Sequence, residues 1–312
     1  MMNPILASSA LRRMRSMRTV MIFTIYGAFM LAFAILSSLS VLNQKTMTIG
    51  SMRQGIDYYV YAVALQFIMI LLVAPGMTAG SIVGERERQT LDLILVTHTG
   101  SFSIALGKLM ESFGFVALIL FSGLPMLSVV LLFGGIGLVQ VLTVMLFMLV
   151  SALGALSVGL LASALFKRTA AATVVAYLAV FAIGILTLIP LGLNSKALVT
   201  LLNDSANTGN PVDISMVLAA IPKTVLFNPG IGLLSLVAGQ TGILERTFGI
   251  IPIGYTLYQL MKTDFMVFAW VNMGLMSGLS LVFILLSALL IRPRSMRMRM
   301  RKTRKVQKEL SA

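Results

Sequence analysis

Six stretches of 23 residues or more carry almost no charge, at 20–42, 58–83, 109–133, 138–166, 170–193 and 265–291. A helix crosses the hydrocarbon core of a bilayer with about 20 mostly apolar residues, so each run is long enough to span. Together they take up about half of the 312 residues, which leaves no room for a large soluble domain. Composition agrees: 58% of the residues are hydrophobic and 11% charged, against roughly 25% charged in an ordinary soluble domain. The spacing therefore predicts an all-α membrane protein with six transmembrane helices and excludes a soluble globular one. The first run follows Arg12, Arg13, Arg15 and Arg18 as a signal peptide would, but at 23 residues it exceeds an h-region and no small-residue cleavage site follows it. It is read as an uncleaved span.

The net charge of +14 is a matter of placement more than of amount. With the N-terminus inside, six spans put both termini in the cytoplasm, and 18 of the 24 Lys and Arg residues then fall on the cytoplasmic side. That is the asymmetry expected of a multi-pass protein of the plasma membrane. Tyr58, Tyr59, Tyr61 and Trp270 fall at the opposite interface, where aromatic belts form. The tail, 292–312, alternates Arg with Met296, Met298 and Met300, and it reads as a contact for anionic lipid. Nucleic acid is not expected as a partner, because no aromatic interleaving or basic module accompanies the charge.

The connection 194–264 is too long for a turn. Its apolar runs at 214–221, 225–238 and 248–261 are broken by Pro222, Pro229 and Pro252 and are too short to span. They suit re-entrant or interfacial helices, with one additional pair of spans as the alternative.

Most enzyme chemistries lack their residues. There is no cysteine and a single histidine, His98, which removes multi-histidine metal centres and most triads. A phosphate-binding loop needs G-x4-G-K-[ST]. Around Gly107-Lys108, Phe102 stands in place of the first glycine and Leu109 in place of the hydroxyl residue. The chain is therefore expected not to be an enzyme, and to hold no catalytic residue, cofactor or metal itself. Within the runs the one acidic residue is Glu111, near a cytoplasmic end and close to Lys108. A proton or ion relay at mid-membrane is poorly served by that position. With no concentrated polar site in the runs, an apolar or amphiphilic cargo is favoured over a small ion.

The densest charge in the chain is Glu85-Arg86-Glu87-Arg88, directly after the second run. Leu91, Ile94 and Leu95 follow at i, i+3 and i+4, one face of a short helix. Such a helix at the membrane surface offers a docking face to a soluble partner, or else it only caps the second span. Small residues recur every four positions as Gly76, Gly80 and Gly84, as Ser151, Ala155, Gly159 and Ser163, and as Gly274 and Gly278. This spacing lets helices approach closely in lipid, within one subunit or across a dimer seam. Pro75-Gly76 and Gly123-Leu124-Pro125 are expected kinks.

The string G-E-R-E-x-x-T-L-x-x-[IL]-L-x-T at 84–97, with Gly107-Lys108 beyond it, resembles the cytoplasmic segment of type-2 ABC exporter permeases. Asn3-Pro4-Ile5-Leu6 and the run 11–19 are similar to the start of such permeases, although Ser9-Ala10 stands where that family often carries a basic-acidic pair. The resemblance implies an amphipathic N-terminal helix at 1–19, a coupling helix at 82–97, and a second cytoplasmic contact at Lys167 and Arg168. The residues it assigns to ATPase coupling are Glu85, Arg86, Glu87, Arg88, Thr90, Leu91, Ile94, Leu95, Lys167 and Arg168. It further implies separate ABC ATPase subunits that carry the ATP and magnesium, and a second permease chain, identical or paralogous, to complete the pathway. The rival reading is a non-transporting scaffold or sensor that recruits a cytoplasmic partner through the same surface.

Overall fold

The computed structural model describes residues 17–42, 49–91, 100–133, 135–190, 200, 223–241 and 265–291. Among them there is no strand. The helices are α1 (Met17–Leu42), α2 (Ile49–Ala79), α3 (Val83–Glu87), α4 (Ser101–Ser122), α5 (Leu124–Phe133), α6 (Leu138–Leu165), α7 (Thr169–Leu186), α8 (Pro229–Thr241) and α9 (Phe265–Ile291), with a 3-10 turn at Lys223–Phe227. Five stretches are long and apolar enough to cross a membrane: Gly55–Glu87, Ser101–Leu127, Leu138–Leu165, Thr169–Pro190 and Val267–Ile291. A multi-pass membrane protein has this pattern. α1 is a continuous helix of 26 residues but is not one of the five.

α6 is the hub, the most buried of the five, packed on α2, α4, α7, α8 and α9. Its small residues explain why. A Cβ on Gly159 would lie 2.5 Å from the carbonyl oxygen of Pro75 and would overlap Thr78 Oγ1. Only a glycine lets the two backbones meet there, which is the packing that small-residue spacing provides in lipid. Thr78 Oγ1 then donates to Leu156 O at 2.7 Å. Ser151 and Ala155 are buried on the same helix. α7 is the least buried of the five and turns Val174, Leu178, Phe181 and Ile185 outward, a stripe at helical spacing that suits contact with lipid.

The small residues do not all work this way. A Cβ on Gly76 would meet the Tyr177 hydroxyl at 2.5 Å, and Gly84 has only Thr169 Cγ2 at 4.0 Å. Gly80, Gly274 and Gly278 have nothing within 4 Å of the Cβ position. Gly274 and Gly278 are exposed and face away from the bundle, so of the two alternatives they do not serve close packing within the chain.

The run 109–133 is not one helix. Pro125 has no amide to give the carbonyl of Phe121, so one bond of the α-helical pattern is missing there, next to a glycine. α4 stops at Ser122, and Gly123 turns its amide back to Leu120 O at 3.2 Å before α5 begins. The same helix starts at Ser101, earlier than the charge of Lys108 indicates. At Pro75, by contrast, α2 continues to Ala79. The aromatic belt also needs correction: Tyr58 and Tyr59 are buried and bond inward, to Met126 O and Gln240 Oε1, whereas Tyr61 and Trp270 are exposed.

Several expectations fall outside the described residues: the N-terminal helix up to residue 16, the coupling segment from 92 to 97 with Ile94 and Leu95, the runs 214–221 and 248–261, and the tail 292–312. The run 225–238 is described. It forms the 3-10 turn and α8, whose Ile231, Leu233, Leu236 and Val237 are buried in contact with α6 and α9.

Candidate functional site

The charged string after α2 sits where α2, α3, α4, α6 and α7 come to one end of the bundle. α2 and α6 run parallel there, since contacts climb in step from Thr78 against Leu156 to Glu87 against Thr169. α2 ends at Ala79, and the chain must restart as α3 with unpaired amides. Ser163 Oγ accepts two of them, from Ile82 at 2.9 Å and Val83 at 3.0 Å. The serine read as a packing residue is thus a cap supplied by another helix.

The next residues match the ends of α6 and α7. A helix carries partial negative charge at its C-terminus and partial positive charge at its N-terminus. The turn Phe166-Lys167-Arg168 joins the first kind of end to the second. Arg86 reaches the C-terminus of α6, its Nη1 donating to Phe166 O at 2.6 Å and its Nη2 to Ala164 O at 3.2 Å. Glu87 reaches the N-terminus of α7, where Oε1 accepts the Thr169 amide at 2.8 Å and the Thr169 hydroxyl at 3.3 Å. Cation then anion along the chain meets carbonyls then amides along the turn. A charge-assisted bond of this kind stabilises by about 1.5–3 kcal/mol, and the exposed Glu87 contact by less.

Glu85 closes the cluster on its other side. Its Oε1 lies 3.2 Å from Lys108 Nζ of α4, each side chain about a quarter exposed. Its Oε2 accepts the Thr90 hydroxyl. The segment ends in a Schellman turn: the Thr90 amide reaches Glu85 O at 3.0 Å and the Gln89 amide reaches Arg86 O at 3.2 Å. Gln89 takes the left-handed position at φ 59°, a place usually held by glycine.

This geometry sorts the residues assigned to coupling. Glu85, Arg86, Glu87 and Thr90 are occupied inside the chain, forming a latch between α2, α4 and the α6–α7 turn. Arg88, Lys167 and Arg168 are exposed beside it. Leu91 is partly buried and packs against the core. Sequence reading missed Ser163 and the Lys108–Glu85 pair as parts of the latch. Lys108 stands one turn from Glu111 on the same helix but 23 positions from Glu85, so no local pattern announces its partner.

A second polar cluster lies at the opposite end. Asn228 Oδ1 caps α8, accepting the amides of Gly230 at 2.9 Å and Ile231 at 3.2 Å. Its Nδ2 donates to Gly184 O at 2.9 Å and Thr187 Oγ1 at 2.8 Å, at the end of α7. Asn272, fully buried in α9, donates to Leu226 O at 2.7 Å and Asn228 O at 3.1 Å. Gln240 accepts from Tyr59 Oη at 2.7 Å and donates to Gln140 O at 3.2 Å. Backbone groups buried away from water need a protein partner; these side-chain amides supply it at Leu226, Asn228, Gly230 and Ile231. Gly232 packs where any Cβ would overlap Asn272. Asn272 is isolated in sequence but not in space, since its partners come from the connection 194–264. Among the described residues no group of acidic, histidine or cysteine side chains could hold a metal.

Comparison with protein-family models and with curated proteins finds no match for the chain.

Proposed function

We propose that the chain is the membrane-spanning subunit of an ATP-driven exporter, with α1 as a sixth span, both termini in the cytoplasm of a plasma-membrane protein, and the latch at the cytoplasmic face. The observation that carries this reading is the latch. It fastens the end of α2, the start of α4 and the turn between α6 and α7 into one unit, beside which Arg88, Lys167 and Arg168 stand exposed. A separate ATPase that seats on those three cations moves four helices together. Closure of two ATPase subunits then tilts α2 and α4 and opens a path between two copies of the chain, or between the chain and a paralogue. The outward Gly274-x-x-x-Gly278 face supports a second chain.

The test separates docking from folding. In vesicles reconstituted with the ATPase subunits, Arg88→Glu with Arg168→Glu leaves the thermal unfolding of the chain unchanged and abolishes both ATPase association and solute-dependent ATP turnover. Unchanged association sinks the coupling role. Association lost while ATP turnover never depended on a solute favours the scaffold or sensor reading instead.

A further inference from the structure

The break between α4 and α5 gathers two polar groups that the latch and the asparagine cluster do not use. Gln66 of α2 is fully buried, and its Nε2 donates to Leu120 O at 2.9 Å, in the last turn of α4. Tyr26 of α1 is 4% exposed. Both converge on Gly123: a Cβ there would lie 2.7 Å from Gln66 Nε2 and 2.8 Å from Tyr26 Oη. Two atoms of this cluster, Tyr26 Oη and Gln66 Oε1, are buried without a hydrogen-bond partner. Leaving a buried donor and a buried acceptor unmet is costly, more so where no bulk water is at hand. The cluster lies 17 residues before Val83, about 25 Å along a helix axis from the latch.

We propose that Tyr26 and Gln66 form a hydroxyl-binding site. One hydroxyl satisfies both atoms, accepting the Tyr26 O–H proton and donating its own to Gln66 Oε1. A carbonyl only accepts and leaves Gln66 Oε1 unmet; an ammonium only donates and brings a charge into a span, which is expensive there. The hydroxyl comes from the alcohol head of an amphiphile dissolved in the bilayer or from a water molecule. Access for the first runs past α1, which touches α2, α4 and α5 on one side and exposes Ile25 and Phe29 on the other. The site is therefore one helix in from lipid. It stands on this cluster alone and does not require that the chain carry cargo.

Photolabelling of the full chain in lipid nanodiscs tests this with a diazirine-bearing octanol and, as control, a diazirine-bearing octane. The alkanol labels peptides containing Tyr26, Gln66 or the 118–123 turn, and plain octanol competes while octane does not. Tyr26→Phe, which keeps shape and loses the polar atom, reduces labelling about fivefold to tenfold without lowering the unfolding temperature; Gln66→Met reduces labelling as far but also gives up the bond to Leu120 O, so it is read by labelling alone. An ordered water bonded to both Tyr26 Oη and Gln66 Oε1 in an experimental map, without alkanol labelling, sustains the site and names water as its hydroxyl. Equal labelling by the octane, labelling indifferent to both substitutions, or a map with Tyr26 Oη bonded directly to Gln66 Oε1 overturns it.

Discussion

The two ends of the bundle solve the same problem with different chemistry. Both must satisfy backbone where helices stop and turn. The latch uses ions, Arg86 and Glu87 against helix ends and Lys108 against Glu85, at positions partly open to solvent. The opposite end uses neutral amides, Asn228, Asn272 and Gln240, with Asn272 sealed from solvent. Charge pays off where water shares the cost of solvation, whereas a sealed ion pair loses more by desolvation than it gains by attraction. On the exporter reading proposed above, the tie made of exposed ions is the one that yields to a charged partner, and the tie made of buried amides holds the frame against which it moves.

Substitutions can break this comparison at either end. Asn228→Ala removes four bonds at once, two of them the cap of α8, and is expected to destabilise by about 3 kcal/mol, read as a loss in denaturant titration in detergent. Gly159→Val drives a side chain into the Pro75 carbonyl between the two ends, at a cost of about 2–3 kcal/mol by the same measurement. Arg86→Met, which leaves the Ala164 and Phe166 carbonyls to solvent, costs about 2 kcal/mol. The sharper test is salt: raising sodium chloride to about 1 M narrows the gap between wild type and Arg86→Met and leaves the Asn228→Ala gap as it was. If both gaps respond alike, the two ends do not differ in kind. Glu87→Gln, at an exposed helix N-terminus, costs about 0.5 kcal/mol and checks that the dipole match is the smallest of these effects.

The latch was half legible in the sequence. Four alternating charges past an apolar run mark a place of consequence, but their partners lie about 80 residues away at backbone atoms of Ala164, Phe166 and Thr169. Side-chain identity says nothing of a carbonyl or amide that another residue will need. The spans were legible because their signal is bulk apolarity, which each run carries by itself. The break at Gly123 was readable as a kink, and Pro125 supplies the reason. Asn272 and Gln66 were visible as lone polar residues in apolar runs, and intramembrane polar residues merit a partner search by default. What could not be read was the partner, which in both cases is backbone.

The parallel ladder between α2 and α6 also fixes an order of assembly. Ile82 and Val83 offer their amides to Ser163, and Arg86 and Glu87 look for the end of α6 and the start of α7. At a synthesis rate of roughly 5–20 residues per second, the 80 residues that separate these partners take about 4–16 s to emerge. For that time α2 stands in the membrane with its charged end unclaimed. Glu85 can meet Lys108 early, but the chain cannot complete the latch before residues 163–169 have emerged.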